Sequence, residues 1–211
     1  MPGSNATVFV VDDDTSIRES LSLLLNSVGY DVETFASAQE FLELEMLPKG
    51  PACILLDVKM PGLSGLDLQE DLSPRSYVPP IIFITGHGDI PMSVQAMKKG
   101  AVDFLAKPFD DDDLIGAVKE ALKKDARIKT GALKQEKVME KLDSLTTREY
   151  EIMTYLITGM LNKQIAFDLN IAERTVKAHR KQVFKKLEIH SIAELVRMTE
   201  KVNIKPANDA A

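Results

Sequence analysis

The sequence has no tryptophan, no long hydrophobic run and only one cysteine among its 211 residues. No apolar run approaches the roughly 20 residues that a membrane-spanning helix needs, and residues 1–5 lack the features of a signal peptide. Cys53 alone cannot form an internal disulfide, which is typical of a reducing compartment. With 45% hydrophobic and 27% charged residues, we expect a cytoplasmic globular protein of one or two domains.

Basic residues are also scarce in the first half of the chain, since residues 1–123 hold 9 Lys or Arg against 20 Asp or Glu. The net charge of −6 divides into −11 for residues 1–123 and +5 for residues 124–211. Such asymmetry favours one module that faces nucleic acid, joined to one that does not. Random scatter of charge is the alternative, and motifs must decide between the two.

Short apolar runs alternate with amphipathic segments over residues 1–123. The runs read as five strands, and the amphipathic spacing predicts a helix after each of them. This order predicts a doubly wound five-stranded parallel α/β sheet of the flavodoxin-like type, in which ligands bind at the carboxyl ends of the strands. The predicted strands are Thr7–Val11, Asp31–Phe35, Ala52–Leu56, Ile81–Thr85 and Asp103–Ala106; the predicted helices are Ser16–Ser27, Ala38–Leu47, Leu66–Leu72, Met92–Lys99 and Asp110–Lys123.

Strand patterns are absent from the rest of the chain. Residues 124–143 are rich in Lys, Glu and Ala and are predicted to be a partly helical linker. Residues 144–205 predict an all-α four-helix domain, and the tail at 206–211 is expected to be loose. The four predicted helices are Thr147–Thr158, Asn162–Leu169, Glu173–Leu187 and Ile192–Lys201.

Chemically reactive side chains follow the predicted strands of the N-terminal half. The first strand runs into Asp12-Asp13-Asp14, the third ends at Asp57, the fourth ends in Thr85, and Lys107 follows the fifth. Carboxylates that share one rim repel each other unless a cation lies among them, and hard oxygen ligands favour Mg²⁺. A lysine and a hydroxyl facing that cation suit a phosphoryl group. The alternative, that each Asp caps a helix, leaves the lysine and threonine unexplained.

The motifs of residues 6–123 resemble the receiver domain of two-component response regulators. They are Val-Val-Asp-Asp-Asp, Asp57-x-x-Met-Pro-Gly, Thr85-Gly-His-Gly-Asp and Phe104-x-x-Lys107-Pro-Phe. The resemblance implies that Asp57 accepts the phosphoryl group. It also implies that Asp12, Asp13, Asp57 and the main-chain carbonyl of Lys59 hold Mg²⁺, that Lys107 contacts the phosphoryl oxygens, and that the Lys107–Pro108 bond is cis.

Thr85 and Phe104 match the switch pair of that family. A phosphoryl group adds nearly two negative charges at one rim, so the Thr85 hydroxyl can reach it only by shifting its loop, after which an aromatic ring can change rotamer. We therefore expect residues 90–106 to report the phosphorylation state. The expected dimer face in this segment comprises Val94, Met97, Lys98 and Asp103.

A basic helix is predicted over Glu173–Leu187. At 100° per residue, one stripe is apolar (Val176, Val183 and Leu187), and the opposite side carries Ala178, Lys181, Gln182 and Lys185. Residues 163–186 hold seven Lys or Arg against two Asp or Glu. With the short helix before it, this segment is typical of a helix-turn-helix. An ordinary solvated lysine face is the alternative.

The C-terminal motifs resemble the LuxR-type DNA-binding domain. They run Leu145-Thr-x-Arg-Glu, Asn162-Lys-Gln-Ile-Ala and Arg174-Thr-Val-Lys-x-His-Arg. The resemblance implies base contacts by Lys177, Ala178 and Lys181, phosphate contacts by Thr175 and its neighbours, and pairing of two copies through Ile192–Val202. We further expect Lys185 to contact phosphate. Since Arg180 lies near the apolar stripe, we expect it to form a buried pair with Glu149 rather than a DNA contact.

The whole chain resembles the NarL/FixJ family of transcriptional regulators. That resemblance implies a phosphoacceptor regulator rather than an enzyme, which is phosphorylated by a sensor histidine kinase, dimerises, and binds double-stranded DNA and RNA polymerase, with no membrane partner. An aspartyl-phosphate phosphatase is one alternative, since Asp12-x-Asp14-x-Ser16 loosely mimics its nucleophile motif. It leaves Asp57 and the C-terminal half unexplained. An RNA-binding antiterminator is disfavoured by the helix-turn-helix pattern.

Overall fold

The computed structural model describes residues 6–86 and 90–207, and the chain divides into two compact units, Met1–Lys129 and Thr130–Ala211. Each unit has its own hydrophobic core. Among the described residues, no helix combines the length and apolarity needed to cross a lipid bilayer.

The first unit is a five-stranded parallel sheet in the order β2-β1-β3-β4-β5, with helices on both faces. This confirms the predicted α/β class, and four strands have the predicted bounds while the third extends to include Asp57. The elements are β1 (Thr7–Val11), α1 (Thr15–Ser27), β2 (Asp31–Phe35), α2 (Ala38–Leu42), β3 (Ala52–Asp57), α3 (Gly65–Leu72), β4 (Ile81–Thr85), α4 (Ile90–Lys98), β5 (Asp103–Ala106) and α5 (Asp111–Asp143).

The central strands are buried on both faces because successive side chains point to opposite sides of the sheet. Phe9 of β1 packs on one side with Phe41 of α2, ring centroids 5.5 Å apart, and with Phe83 of β4. Val8 and Val10 point to the other side, toward α1 and α5. Cys53 is fully buried in this second layer, which agrees with the sequence prediction of an apolar role.

Helix α2 is shorter than the sequence predicts, ending at Leu42 instead of Leu47. Beyond it, Leu44 and Leu47 pack against the core from a non-helical segment, and Pro48 follows. Tertiary packing overrides helix propensity here, and the residue before a proline is itself biased away from the helical region.

Helix α5 covers all of residues 124–143, the segment predicted to be only partly helical. Lysine, glutamate and alanine favour helix, and a buried carboxylate anchors its middle. The side chain of Asp125 is fully buried, where it accepts hydrogen bonds from the Tyr77 hydroxyl and the Ala52 amide and pairs with Lys129 at 3.4 Å. The sequence signalled none of these contacts.

The second unit holds the end of α5 and four further helices around one core. They are α6 (Thr147–Leu156), α7 (Asn162–Asp168), α8 (Glu173–Leu187) and α9 (Ile192–Glu200), all close to the predicted bounds. The Thr146 side chain caps α6, and the Glu149 carboxylate accepts a hydrogen bond from the Thr146 amide, which completes a capping box. After α9, the amide of Ala207 donates to the Thr154 carbonyl, so the predicted loose tail is attached at this point; residues 208–211 lie outside the described part.

Candidate functional site

Four of the predicted site residues meet at the carboxyl edge of the sheet. Asp12 follows β1, Asp57 ends β3, Thr85 ends β4 and Lys107 follows β5. In the parallel register, Asp57 is level with Ile84 and Thr85 is level with Ala106, so neighbouring strands deliver these side chains to one rim. Asp12, Asp57 and Thr85 are each less than a tenth exposed.

Lys107 connects the two buried carboxylates. Its Nζ lies 2.7 Å from Oδ2 of Asp12 and 2.9 Å from Oδ1 of Asp57. Burial lowers the pKa of Lys107, but the hydrogen bonds to both carboxylates outweigh that effect and leave the pKa raised. The ammonium is therefore charged at neutral pH, and the Lys107–Pro108 peptide bond after it is cis, as the resemblance implied.

Asp57 is held in an environment suited to a nucleophile. Burial raises the pKa of its carboxyl, opposed by Lys107 and by the Lys59 amide, which donates to Oδ2 at 2.7 Å. The negative charge of Asp12 also raises it. A carboxylate made more basic by desolvation and a like charge, yet positioned by two donors, is better able to attack an electrophile.

The structure brings only part of the predicted metal set together. Among the described residues, no group of three His, Cys, Asp or Glu side chains is arranged to hold an ion. Asp12 and Asp57 converge on Lys107, whereas Asp13 is exposed beside them. Their three carboxylates against one ammonium leave a net charge of −2, and the donors are all oxygen. Oxygen donors with this net charge are of the type that a hard divalent cation prefers.

Asp14 caps a helix, which is the role that the alternative interpretation predicts for all of these aspartates. Its side chain accepts hydrogen bonds from the amides of Ser16 and Ile17 and caps α1. Asp12 and Asp57 lie at strand ends with other partners, so capping does not account for them.

Gly65 is a site residue that sequence reasoning missed. A Cβ at Gly65 would lie 2.2 Å from the carbonyl oxygen of Asp57, and the Gly65 amide donates to the Val58 carbonyl at 3.0 Å. The start of α3 therefore rests directly on the backbone that presents Asp57. The only signal in the sequence is a glycine placed where a helix begins shortly after the Pro61-Gly62 turn.

The proposed switch pair lies on adjacent strands. Thr85 is buried, and its main-chain oxygen accepts the Lys107 amide at 2.7 Å. Phe104 is half-buried with its ring centroid 6.4 Å from that of Phe83. The His-Gly-Asp part of the Thr85-Gly-His-Gly-Asp motif, residues 87–89, lies outside the described residues.

The residues predicted to form a dimer face lie on α4 and β5. Val94 and Met97 are 44% and 45% exposed although both are apolar, and Lys98 is exposed beside them. Asp103 is half-buried, with Oδ1 accepting the Phe104 amide at 2.8 Å. The four residues therefore lie on neighbouring elements at the surface of the first unit, and their role as a dimer face stays a prediction.

Helix α8 has the two faces that its sequence predicts. Val176, Val183 and Leu187 are fully buried against α6 and α7, while Lys177, Ala178, Lys181 and Lys185 are exposed and Thr175 is half-buried. Lys177 pairs with Glu173 one turn earlier at 2.9 Å, in an exposed contact. The exposed face therefore presents three lysines that no core contact requires.

The expected pairing of Arg180 with Glu149 is wrong. Glu149 pairs instead with Lys186, whose ammonium lies 2.6 Å from Oε2 and lowers the pKa of the carboxyl. Arg180 points to the other side of α8, where Nη1 donates to Oδ1 of Asn162 at 3.3 Å and the guanidinium lies 5.2 Å from the Phe184 ring centroid. Helical spacing located Arg180 beside the apolar stripe but could not tell on which side its long side chain extends.

Comparisons with known proteins cover both units. Residues 8–119 match the family described as response regulator receiver domain, and residues 143–199 match bacterial regulatory proteins of the luxR family. Nodulation protein W of Bradyrhizobium diazoefficiens is 47% identical over 201 residues, which are 95% of this chain and 88% of that protein.

Two solved structures are also similar. The response regulator StyR matches with a TM-score of 0.84 and 47% identity, over 94% of this chain and all of that one. Full-length FixJ from B. japonicum matches with a TM-score of 0.57 and 38% identity, over 93% of this chain and 97% of that one.

Proposed function

The chain belongs to the family of response regulators that join a receiver domain to a LuxR-type DNA-binding domain, and from this premise we propose that phosphorylation of Asp57 promotes receiver dimerisation and sequence-specific DNA binding. As a member, it is a phosphorylation-dependent transcriptional regulator with a histidine kinase and DNA as partners. We propose a receiver domain over residues 1–123, a connecting segment over 124–143 and a DNA-binding domain over 144–205.

The observation that carries the assignment of Asp57 is its contact with Lys107. In the transfer, a carboxylate oxygen of Asp57 forms a bond to phosphorus as the bond between phosphorus and the donor's leaving group breaks. Lys107, already 2.9 Å from Oδ1, balances the charge that collects on the phosphoryl oxygens. Asp12 holds the other side of the ammonium at 2.7 Å, which fixes its position beside Asp57.

Asp12, Asp13, Asp57 and the carbonyl of Lys59 are the proposed ligands of Mg²⁺. When bound, this ion would neutralise negative charge on the carboxylates and the phosphoryl group. The net charge of −2 among the three carboxylates and Lys107 supports a divalent cation over a monovalent one. Arg18 donates to the main-chain oxygen of Asp12 at 2.7 Å, and this contact holds the loop that presents Asp12 and Asp13.

Phosphorylation is proposed to act through Thr85, Phe104 and α4. A phosphoryl group on Asp57 adds acceptor oxygens at the rim where Thr85 ends β4, and a shift of Thr85 opens space beside the half-buried Phe104 ring. These two residues bracket α4, so their movement changes the surface formed by Val94, Met97, Lys98 and Asp103. We propose that two receivers pair through this surface.

DNA contacts are assigned to the exposed face of α8. We propose that Lys177, Ala178 and Lys181 face base edges in the major groove and that Thr175 and Lys185 contact phosphates. Pairing of α9 from two copies would set their spacing on DNA. The DNA-bound dimer would act on RNA polymerase, and as a regulator of transcription it would work in the bacterial cytoplasm.

Light scattering with and without a small phosphodonor tests the receiver part. The wild type should double its mass in solution when the donor and Mg²⁺ are added, and Asp57→Asn should stay monomeric while keeping its fold. Dimerisation of Asp57→Asn to the same extent as the wild type would contradict the assignment.

DNA titrations test the assignments on α8. Lys181→Ala should weaken binding to a duplex selected from a random library by the wild type more than binding to random duplex, by about 1–3 kcal/mol. Lys185→Ala should weaken both about equally and lower the salt dependence, as loss of a phosphate contact does. Equal losses for Lys181→Ala on both duplexes would show that Lys181 contacts only the backbone.

A further inference from the structure

A cavity on the second unit collects positive charge beside the proposed DNA-reading face. It measures about 380 Å³ and is lined by Asn162, Lys177, Arg180, Lys181 and Phe184. Three of these five residues are cations, and none is a carboxylate. Within the described ranges 6–86 and 90–207, Arg180 and Lys181 form no salt bridge, while Lys177 reaches Glu173 at 2.9 Å. Like charges held together in this way repel one another, and an anion in the cavity relieves that repulsion.

The guanidinium of Arg180 is fixed in place by two uncharged partners. Oδ1 of Asn162 accepts a hydrogen bond from Nη1 at 3.3 Å, and the Phe184 ring lies 5.2 Å from the guanidinium carbon. Neither contact neutralises the charge, and both restrict the rotamers of a long side chain. An arginine oriented in advance loses less conformational entropy when it binds an anion.

The position of Arg180 on α8 favours a contact with a DNA phosphate over a contact with a base edge. At 100° per residue, Arg180 lies about 60° from Lys177 and about 40° from the buried Val176, at the margin of the exposed face rather than at its centre. Its side chain extends sideways toward Asn162 of α7. The margin of a helix that lies in the major groove faces the sugar-phosphate backbone, and a planar guanidinium matches two phosphate oxygens.

We propose that Arg180, oriented by Asn162 and Phe184, binds a backbone phosphate of DNA in this cavity. The inference rests on the proposed DNA-binding function and adds a contact that α8 alone would not supply, since α7 provides the anchor. Arg180 is thereby a sequence-independent contact that fixes the position of the recognition helix, while the readout of bases is left to Lys177 and Lys181.

Salt-dependent titration of the full chain, with phosphodonor and Mg²⁺ present, tests this proposal. Binding is measured to a random duplex and to a duplex selected from a random library by the wild type. Arg180→Gln keeps a polar side chain at this position but removes the charge. It should weaken binding to both duplexes by the same factor, about tenfold, and reduce the slope of log affinity against log salt by about 0.9. Arg127→Gln, which removes an exposed arginine of α5, serves as the matched control and should change neither quantity.

Asn162→Ala tests the hydrogen bond from Arg180 to Asn162 separately from the charge of Arg180. It should weaken binding to both duplexes by a smaller factor while leaving the salt slope unchanged, because the phosphate contact persists with a less ordered arginine. Melting temperatures confirm that each variant is folded.

Two results would overturn the proposal while leaving DNA binding intact. An unchanged slope and affinity for Arg180→Gln would show that Arg180 only ties α8 to α7, and a loss confined to the selected duplex would show that it reads a base. Failure of the wild type and of Arg127→Gln to bind either duplex would overturn the proposed function itself, and this inference with it.

Discussion

Nζ of Lys107 lies 2.9 Å from Oδ1 of Asp57, and the same ammonium lies 2.7 Å from Oδ2 of Asp12. One ammonium from the loop after β5 thus bridges carboxylates from the ends of β1 and β3. The contact joins three strands at the point where a phosphoryl group would be received, so it contributes to both stability and chemistry.

Removal of the Lys107 charge should therefore destabilise the first unit. Lys107→Met leaves two buried carboxylates facing each other, and we expect the free energy of unfolding to fall by about 3–5 kcal/mol without divalent cation. Added Mg²⁺ should restore part of the loss. Urea unfolding measures both, with Lys119→Met, an exposed lysine of α5, as the control. A loss no larger than that of the control would show that the ammonium does not hold the two carboxylates.

The contact of Gly65 with the Asp57 carbonyl predicts a strong effect from a single methyl group. Gly65→Ala would place Cβ 2.2 Å from that oxygen, so the backbone at Asp57 or the start of α3 must move. Phosphorylation by a small phosphodonor should slow by an order of magnitude or more. Time courses of phosphorylation followed by intact mass spectrometry measure this rate.

Gly116→Ala is the matched control for Gly65→Ala. Gly116 lies in α5 with open space around its Cα, so an added methyl meets nothing. This substitution should raise the free energy of unfolding by about 0.5–1 kcal/mol and leave the phosphorylation rate unchanged. Equal phosphorylation rates in the two variants would contradict the importance of the close approach at Gly65.

The pair between Glu149 and Lys186 predicts that the stability of the second unit depends on pH. The hydrogen bond from Lys186 lowers the pKa of the Glu149 carboxyl below the usual value, so the stability it contributes is present above the unfolded pKa of about 4.3. That stability is lost as pH falls through the folded pKa. Glu149→Gln should lower the free energy of unfolding by about 1.5–3 kcal/mol at pH 7, and the two proteins should converge in acid.

Urea unfolding at several pH values measures this convergence. Glu200→Gln, an exposed glutamate of α9, should match the wild type throughout. A difference between Glu149→Gln and the wild type that stays constant from neutral pH to acid would show that the charge of Glu149 contributes nothing.

Glu173 should oppose DNA binding. It lies at the start of α8, 2.9 Å from Lys177, and brings a negative charge close to the proposed phosphate and base contacts. The pair is exposed and contributes little to stability, so Glu173→Gln should raise affinity for random duplex about two- to fivefold and steepen its salt dependence. Fluorescence anisotropy at two salt concentrations measures both, and weaker binding by the variant would contradict the expectation.

The sequence predicts helices and strands correctly where a single local pattern determines them. The five strands follow from short runs of Val, Ile and Phe between turn residues, and the apolar stripe of α8 follows from helical spacing. Because parallel strands end at the same edge of a sheet, the sequence predicts that Asp12, Asp57 and Lys107 share a rim. The structure confirms that juxtaposition, whereas their roles in phosphorylation remain predictions.

The contacts that the ends of long side chains make could not be predicted from the sequence. The sequence predicts a pair between Arg180 and Glu149, but Lys186 from the opposite flank of α8 reaches that carboxyl and Arg180 extends to Asn162. The end of α2 at Leu42 and the buried anchor at Asp125 depend on packing with distant segments. Local propensity carries no information about either.

Phosphoryl transfer to Asp57 is tested most directly by peptide mapping of the full chain after incubation with a small phosphodonor and Mg²⁺. The wild type should carry one stable phosphoryl group, confined to the peptide that contains Asp57, and Asp57→Asn should carry none. A phosphoryl group found on Asp12, or retained in full by Asp57→Asn, would contradict the account. Rapid turnover at Asp12 would instead favour a phosphatase.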